Sequence, residues 1–415
     1  MTKFFNAFGS VFRGDVKYYA WIGFLFVLIA LGLASYIQQF QKGLIVTAMR
    51  DQVSWGFYIA NFTFLVGVAA AAVLLVIPAY VYHFKPIKEI VLFGEMLAVA
   101  AIVMCILFIM VDLGQPLRVW HLLPVVGLMN FPSSLLAWDV IVLSGYLIIN
   151  LLMVIYALCR LATGREYRLA LVLPLILLSI PWAVSIHTVT AFLYNGLVAR
   201  PFWNASILAP RFLASAFCSG PALMLIILQV IRKVSKVEID DKAIFKIAEL
   251  IAYTMGINLF LLGAEVFKEF YSGSIHKAPL EYLYFGLHGK TLLVPWIWTA
   301  LAFNMAAFII FLIPKLRANF TALNAGAVLI IFGVYIEKGL GLVVPGFVPD
   351  PLGEIYEYWP TRTEITITIG IWAFGALFYT LLTKFAIPLY TGEAESKRAD
   401  EAKQTVIIKA SGGKM

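Results

Sequence analysis

Residues 90–112 read IVLFGEMLAVAAIVMCILFIMVD, an apolar run whose only charged members are Glu95 and the terminal Asp112. A helix that crosses the hydrocarbon core of a bilayer needs about 20 mostly apolar residues, and this run is long enough. Other segments on both sides of it meet the same requirement. We therefore predict ten membrane-spanning helices, at about 18–38, 53–82, 89–113, 133–159, 168–197, 209–232, 243–268, 292–314, 320–344 and 366–390.

The composition supports a polytopic membrane protein. Of the 415 residues, 62% are hydrophobic and 13% are charged, and the mean hydropathy is +0.91. A soluble protein of this size could not bury that much apolar surface. The net charge of +8 is explained by the loops and tail at the cytoplasmic surface, so it does not indicate a nucleic-acid partner. The partner that the composition indicates is the lipid bilayer.

Lys and Arg are distributed unevenly between the two predicted sides of the membrane. With the N-terminus in the cytoplasm, the inner side holds twice as many of them as the outer side, as the positive-inside rule requires. We therefore predict a multi-pass protein of the cytoplasmic membrane with both termini in the cytoplasm. The longer connections, 114–132, 198–208, 269–291 and 345–365, then form an outer cap that can dock a partner.

Two of the predicted spans, 53–82 and 209–232, run from outside to inside and are rich in the small residues that permit close helix packing. Each is followed by three further spans. We predict an all-α integral membrane protein of two four-helix bundles in parallel orientation, with the first and tenth helices peripheral. The predicted units are 1–52 (cytoplasmic N-terminus and first helix), 53–197 (first bundle), 209–344 (second bundle), 345–390 (outer loop and tenth helix) and 391–415 (charged cytoplasmic tail).

A polar linker, DLGQPLRVWHLL at 112–123, follows the quoted run on the predicted outer side. The next span opens beside it with Trp138 and Asp139. Aromatic walls, a hydrogen-bond donor and a carboxylate–histidine pair suit a quinone ring and the protons that quinol oxidation releases. We therefore predict a quinone pocket that contains Asp112, Arg118, Trp120, His121, Trp138 and Asp139.

Each of these residues also has an ordinary structural interpretation. Asp112 and Arg118 can pair to fix the loop, His121 can be an interfacial hydrogen bonder, and the tryptophans can belong to the aromatic belt. Asp139 is harder to explain in this way, because it lies inside a span with no cation next to it in the sequence. Ionisable groups within a bilayer are costly and often functional. We assign chemistry to His121 and Asp139, and support to Asp112 and Arg118.

Other polar residues within the spans are weaker candidates. Trp55, Tyr58 and Asn61 lie at helical spacing in the outer half of the second span and can face the same pocket, although packing explains each of them individually. Glu95 and Glu249 lie in the inner half of the membrane. They can mark a proton path from the cytoplasm, or they can be buried, hydrogen-bonded acids.

The histidines and cysteines argue against a resident redox cofactor. A haem in a membrane bundle usually needs two histidines that face each other across helices, and only His187 lies well within a span. His187 and Thr190, in the same span, can serve either packing or the pocket. The three cysteines form no CxxC motif, so we expect no haem, no iron–sulfur cluster and no metal site in this chain. The histidines are His83, His121, His187, His276 and His288, and the cysteines are Cys105, Cys159 and Cys218.

Four stretches resemble a known family. They are SWGFYIANFTFLVGVAAAA at 54–72, DLGQPLRVWHLL at 112–123, SSLLAWDVIVLSGYL at 133–147 and SIHTVTAFLYNGLVARPFWNASILAPRFLASAFCSG at 185–220. The chain is similar to the NrfD/PsrC-type membrane subunit of polysulfide reductases over most of residues 50–345, with the DLGxPxRxWH string as its most specific element. It resembles most the ten-span DsrP, Hmc and quinone-reductase-complex branch, which includes the Hdr-like menaquinol-oxidising complex.

The resemblance implies a quinone-binding subunit of a respiratory complex, as in anaerobic respiration and sulfate reduction. Such a subunit oxidises menaquinol, or reduces menaquinone, near the outer face and exchanges electrons with a ferredoxin-like iron–sulfur subunit outside. Cytochrome c, cytochrome b and Hdr-like iron–sulfur proteins are further implied partners. The implied catalytic residues are His121 and Asp139, and the implied quinone-binding residues are Trp55, Tyr58, Asn61, Asp112, Arg118, Trp138 and Tyr146.

Two other functions stay open on the sequence. Parallel repeats and intramembrane acids are also features of secondary transporters and proton-conducting membrane proteins. Paired helix interruptions near the membrane midplane would distinguish a transporter. Pro181 and Pro221 can supply interruptions, but no paired Gly/Pro interruptions occur at matching positions in the sequence. The third interpretation is an inert anchor that only docks a respiratory partner. No second DLGxP string occurs in the second bundle, which favours a single quinone site in the first.

Overall fold

The computed structural model describes residues 2–123, 126–164, 168–235, 237–274 and 277–411, most of which are helical. The α-helices are α1 (Thr2–Val11), α2 (Val16–Lys42), α3 (Phe57–Ala69), α4 (Ala71–Val76), α5 (Lys85–Lys88), α6 (Val91–Asp112), α7 (Leu135–Thr163), α8 (Leu169–Asn195), α9 (Leu208–Val234), α10 (Asp241–Ser272), α11 (Lys277–Tyr284), α12 (Val294–Leu312), α13 (Pro314–Arg317), α14 (Phe320–Lys338), α15 (Leu340–Val343) and α16 (Arg362–Ser411). Short 3₁₀ turns cover Leu44–Val46, Pro116–Leu122 and Pro345–Phe347. The described residues contain no β-strand.

Ten helical stretches in the described part of the chain are long and apolar enough to cross a bilayer. This result confirms the all-α membrane architecture and the number of spans predicted from hydropathy. The tenth helix continues to Ser411, well beyond the predicted end of the span at 390. The spans are Val16–Lys42, Phe57–Tyr80, Val91–Asp112, Leu135–Thr163, Ala170–Asn195, Leu208–Val234, Asp241–Ser272, Val294–Leu312, Phe320–Phe347 and Arg362–Gly392.

The second span is not a continuous α-helix. α3 ends at Ala69, α4 begins at Ala71, and a π-helical turn over Ile77–Val81 contains Pro78. Proline has no N–H to donate and its ring crowds the preceding turn, which accounts for the irregular hydrogen bonding there. Hydropathy predicted one segment over 53–82, because an apolar pattern does not report local changes in hydrogen-bond register.

The paired interruptions that would favour a transporter are not found among the described helices. α8 continues through Pro181 and α9 continues through Pro221. The break at Ala70 in the first bundle has no counterpart in α9, the corresponding helix of the second bundle. The symmetry of broken helices on which many transporter sites depend is therefore missing from this part of the chain.

The spans pack as two rings of four helices with one peripheral pair. In the first ring α3 contacts α6, α6 contacts α7, α7 contacts α8, and α8 returns to α3. In the second ring α9, α10, α12 and α14 follow the same order, and α14 returns to α9. Because consecutive spans alternate in direction, corresponding helices of the two rings run parallel. The rings meet where α3 and α8 pack on α9, and α14 reaches α3.

α2 and α16 form a separate pair beside the first bundle, where α16 packs on α6. Gly32 and Gly370 make the closest approach of this pair, since a Cβ added to Gly32 would lie 2.7 Å from the Gly370 Cα atom. Small residues allow such contact between helices in a membrane, where van der Waals packing supports association. The pair therefore depends on the absence of a side chain at these two positions.

We expect Gly32→Leu to destabilise the protein by about 1–3 kcal/mol, because the new side chain meets the backbone of α16, which cannot move aside easily. Thermal unfolding in detergent, followed by tryptophan fluorescence, measures the loss. Gly23→Leu on the same helix is the matched control, since nothing lies within 4 Å of a Cβ at Gly23. Equal losses in the two variants would argue against the close helix contact.

The longer connections of the described chain gather at one end of the bundles, which we call the long-loop face (43–56, 113–123, 126–134, 196–207, 273–274, 277–293 and 344–361). Trp203 is fully buried there, its Nε1 donates to the Leu342 carbonyl at 2.9 Å, and its ring packs edge-on against Phe347. The Leu292 amide donates to Glu357 at 2.8 Å. These contacts join the connections into a packed cap.

Candidate functional site

Asp139 is the most deeply buried ionisable residue of the predicted pocket. Ser134 caps α7 by accepting from the Ala137 amide at 3.3 Å, so Asp139 lies about one turn inside the helix. Its side chain is fully buried. Oδ1 accepts a hydrogen bond from Thr190 Oγ1 at 2.8 Å, and Oδ2 has no partner in the described part of the chain. One carboxylate oxygen is thus held while the other is open.

His187 lies one turn before Thr190 on α8 and is also buried. Its Nδ1 is 2.8 Å from the Ala183 carbonyl. A carbonyl oxygen can only accept, so Nδ1 donates and Nε2 of the neutral ring is an acceptor. Nε2 has no partner among the described residues. His187, a weaker candidate in the sequence, is therefore the histidine that the fold places in the core.

His121 lies apart from Asp139. The linker forms the 3₁₀ turn Pro116–Leu122, in which the His121 ring is exposed and stacks on Trp120 with the ring centroids 3.8 Å apart. Within the described residues, no hydrogen bond or ion pair joins His121 to Asp139. The side chain that holds Asp139 comes from α8 instead of from the linker.

The other linker residues have separate environments. Arg118 is exposed, and Asp112 is half-buried at the end of α6 with Oδ1 open; no ion pair joins the two in the described chain. Trp138 packs on Phe131 with the ring centroids 4.5 Å apart, and its Nε1 donates to the Pro132 carbonyl at 2.8 Å. These contacts hold the linker against the start of α7.

A polar cluster that the sequence did not predict lies where α2, α3 and α6 meet. The Tyr58 hydroxyl donates to Gln39 Oε1 at 2.6 Å, and Gln39 Nε2 donates to the Val111 carbonyl at 2.6 Å. Asp112 lies within electrostatic range of Tyr58. The cluster satisfies the carbonyl next to Asp112 and fixes the end of α6 against α2. Gln39, a buried amide in an apolar helix, is the residue from which the sequence could have predicted this cluster.

Glu364 is fully buried at the start of α16 and was also missed. Its Oε2 accepts from the amides of Ala48 and Thr361, both at 2.8 Å, and its Oε1 accepts from the Tyr358 hydroxyl. The same hydroxyl accepts from the Phe57 amide at 2.8 Å. Burial, together with the neighbouring carboxylate, raises the pKa of Tyr358 above its ordinary value, so the phenol keeps its proton and its bond to Glu364. These contacts join the connection between α2 and α3, the connection before α16, and the starts of α3 and α16.

Asn61 is a joint between helices. Its Oδ1 accepts from the Tyr335 hydroxyl at 2.9 Å and from Trp372 Nε1 at 2.8 Å, while its Nδ2 donates to the Phe57 carbonyl at 2.8 Å. Asn61 therefore ties α3 to α14 and α16, and these bonds favour the packing interpretation for this residue.

Trp55 belongs to an aromatic cluster at the long-loop face. Its ring centroid lies 5.4 Å from that of Tyr194 and 5.5 Å from that of Trp203. Tyr194, which the sequence did not single out, bonds to Thr63 with the two hydroxyl oxygens 2.6 Å apart. Beside the cluster is an open cleft of about 530 Å³. The cleft is lined by Ser54, Trp55, Gly196, Leu197, Val198, Ala199, Arg200 and Phe347.

Tyr146 and Glu95 are buried inside the first bundle. The Tyr146 hydroxyl donates to the Ala69 carbonyl at 3.5 Å, at the interruption between α3 and α4, and Glu95 Oε1 has no partner in the described chain. Glu249 is partly exposed on α10 and bonds to Lys246 at 3.0 Å. The two acids of the predicted proton path thus lie on helices of different bundles.

The described residues include no group of three or more His, Cys, Asp and Glu side chains placed to hold a metal ion. His276 lies outside the described residues. Cys105 and Cys218 are buried and Cys159 is exposed, and all three are free thiols.

Residues 45–348 match the family described as polysulphide reductase, NrfD. The chain belongs to this family. The match extends over both helix bundles and the connections between them, and it includes Asp139 and His187. It confirms the resemblance found in the sequence.

Known relatives share similarity over nearly the whole chain. A protein from Halobacterium salinarum, named as a putative membrane subunit of dimethyl sulfoxide reductase, is 26% identical, over 90% of this chain and 90% of the relative. The Hdr-like menaquinol oxidoreductase integral membrane subunit of Archaeoglobus fulgidus is 25% identical, over 90% of this chain and 94% of the relative. The menaquinone reductase integral membrane subunit of Nitratidesulfovibrio vulgaris is 22% identical, over 92% and 94%. These names are all of membrane subunits of oxidoreductases.

Proposed function

We propose that this NrfD-family chain is the quinone-reactive membrane subunit of a respiratory complex, with one site in the first bundle near the long-loop face. The observation that carries the proposal is the fully buried Asp139 carboxylate, which is held by Thr190 through Oδ1 and open at Oδ2. Two relatives named for menaquinol and menaquinone support the choice of ligand.

Three features around Asp139 support a quinol as the ligand. Buried polar atoms are seldom left without a partner, and Asp139 Oδ2 and Asp112 Oδ1 are both open acceptors in the described chain. Tyr194 lies within electrostatic range of both carboxylates and adds an aromatic face, with Trp55 packed against it. A quinol supplies the hydroxyl donors that two carboxylate oxygens can accept.

The chemistry assigned to Asp139 is proton transfer. Oxidation of menaquinol releases protons and electrons, and Asp139 takes a proton at Oδ2 as the electrons leave the ring. The bond from Thr190 to Oδ1 keeps the carboxylate from turning away. In the reverse direction the protonated group returns its proton to menaquinone. The helices around Asp139 are apolar and offer few other groups that donate or accept protons. The rate of quinol oxidation or quinone reduction therefore depends on this one carboxyl group.

A ferredoxin-like iron–sulfur protein at the long-loop face, outside the cytoplasm, would receive the electrons. The excess of Lys and Arg in the short connections supports a cytoplasmic position for the opposite end. The aromatic cluster of Trp55, Tyr194 and Trp203 continues from the Asp139 region to the cleft that Arg200 lines, which gives the partner a concave surface to cover. Cytochrome c, cytochrome b and Hdr-like iron–sulfur proteins complete the proposed complex of anaerobic respiration.

The exposed linker residues serve the exchange of protons with water. His121 and Arg118 lie at the surface of the long-loop face, where His121 can pass on protons that leave Asp139. Glu95, buried with an open oxygen, stays the candidate for a path towards the opposite face. Glu249 already bonds to Lys246 and Tyr253 on α10, so we give it a role only at the surface end of that path.

We expect His121→Ala to slow menaquinol oxidation by roughly tenfold, less than the full effect of a general base, because water can replace an exposed proton carrier. The rate is measured with the purified complex and a soluble menaquinol analogue. His83→Ala is the matched control, since His83 is an exposed histidine in the connection at the other end of the first bundle. If the two variants behave alike, His121 has no part in the reaction.

A further inference from the structure

A buried charge cluster lies in the second bundle, outside the proposed quinone site. Arg211 of α9 forms ion pairs with Glu265 of α10 and with Glu337 of α14, the latter at 2.9 Å. Asn304 of α12 donates to the second oxygen of Glu337 at 3.0 Å. All of these side chains are buried. Ionised groups within a bilayer are costly and usually serve a function, so we expect this cluster to have one.

Lys338 extends this cluster towards the first bundle. It follows Glu337 in the chain, is 4% exposed, and has an Nζ atom without a hydrogen-bond partner among the described residues. Nζ lies 4.4 Å from the centre of the Phe212 ring, a contact that stabilises a cation only in part. A buried amine with no hydrogen-bonding partner is incomplete without another polar group.

A small cavity lies at the junction of the two bundles, and it can hold the polar partner that the Lys338 amine lacks. The cavity has room for about one water molecule. Lys338 lines it from the second bundle and His187 from the first, and the hydroxyl groups of Thr63, Ser215 and Ser219 complete the polar wall. His187 and Lys338, each with a nitrogen atom that has no partner among the described residues, therefore line the same cavity.

This cavity meets the conditions for a bound water. A buried water needs two to four polar partners as well as space, and here it finds a histidine acceptor, an amine and hydroxyl oxygens. The hydroxyl of Ser215 already donates to the Arg211 carbonyl at 2.8 Å, so its oxygen remains available as an acceptor. One water would satisfy both orphaned nitrogen atoms.

We infer that His187, the water in this cavity and Lys338 form a proton-transfer link between the two bundles. The link rests on the proposed function, because quinol oxidation supplies the free energy that moves protons along it. Once the His187 ring has gained a proton at Nε2 from the first bundle, the water accepts that proton while it gives another to Lys338, whose amine has to be neutral to accept it. One proton changes place, N–H and O–H bonds are exchanged, and no electron moves. Glu337 and Arg211 are the charged groups nearest to the receiving side.

The test uses the complex in sealed vesicles and compares protons released with quinol oxidised. The wild type should release more protons than the quinol itself supplies. His187→Leu and Lys338→Met should lose this excess but keep most of the oxidation rate measured with an uncoupler. Thr188→Val is the matched control, because Thr188 is partly exposed beside His187 and bonds to the Val184 carbonyl of its own helix. An excess that survives both substitutions, or a wild type without an excess, overturns the link.

A second variant leaves every titratable group in place. A Cβ added to Gly67, which lines the cavity, would lie 3.4 Å from Ser219 Oγ, so Gly67→Ala fills part of the space that the water needs. Gly67→Ala should also lower the excess of released protons. It tests the link even if the His187→Leu and Lys338→Met variants do not assemble. Proton flux driven by a potassium diffusion gradient, without quinol, separates the two proposals. If the proton flux depends on His187 and Lys338 in a complex that does not oxidise quinol, only the proposed quinone function is wrong. If the proton flux does not depend on either residue, the proton-transfer link is wrong.

Discussion

Replacing Asp139 with asparagine should lower the rate of menaquinol oxidation about 10²–10⁴-fold, the effect expected when a general base is removed. The amide keeps the shape of the carboxylate, and its oxygen can still accept the hydrogen bond from Thr190. What disappears is the oxygen that takes the proton, Oδ2, which has no other partner in the described chain. Initial rates with a menaquinol analogue, and the quinone content of the purified protein, measure the effect.

Asp350→Asn is the control for this substitution. Asp350 lies in a connection of the long-loop face and its side chain accepts from the amides of Leu352 and Glu354, a local turn far from any proton transfer. The control should keep the wild-type rate. A rate in Asp139→Asn close to that of the control would remove Asp139 from the reaction and leave the membrane-anchor interpretation as the better one.

Arg211→Leu should destabilise the protein by about 3–5 kcal/mol, because it leaves Glu265 and Glu337 as uncompensated charges in the interior of the second bundle. Breaking one partner of a buried ion pair costs far more than the pair itself contributes, since the desolvation cost of the remaining charges is no longer offset. Thermal unfolding in detergent, with tryptophan emission as the signal, reports the loss.

The comparison is with Arg232→Leu in the same helix. Arg232 pairs with Asp241 at 2.5 Å, but both side chains are solvent-accessible. Exposed pairs contribute about 0–1 kcal/mol, so this variant should melt near the wild type. Similar melting of the two variants would show that the cluster around Arg211 is hydrated or replaceable, and it would weaken the argument that a buried charge network is kept for function.

The number of spans followed from the sequence because hydropathy reports the solvent that a segment meets. The burial of Asp139 was also predictable, since an acid without a cation nearby in an apolar helix must face the protein interior. The partner of Asp139 was not, because Thr190 is 51 positions away and only helix packing brings it near. The same is true of Arg211, Glu265 and Glu337, which lie far apart in the sequence and meet only in the folded second bundle.

The linker shows a different limit of sequence reasoning. Its motif suggested that His121 and Asp139 act together, because they are close in the chain and on the same side of the membrane. In the structure the 3₁₀ turn keeps the His121 ring exposed against Trp120, while Asp139 turns into the bundle. Local spacing in a connection does not determine side-chain direction, which depends on the turn and on the helices that it joins. The histidine that the fold buries is His187 on α8, which no motif in the linker indicated.

Photoaffinity labelling measures where the quinone binds. The purified complex is irradiated with an azido-menaquinone, digested, and its labelled peptides are identified by mass spectrometry. We expect label on the start of α7 around Asp139 and on α8 around Thr190, suppressed by an excess of unlabelled menaquinone. Label confined to the second bundle, or label that menaquinone does not suppress, would contradict it.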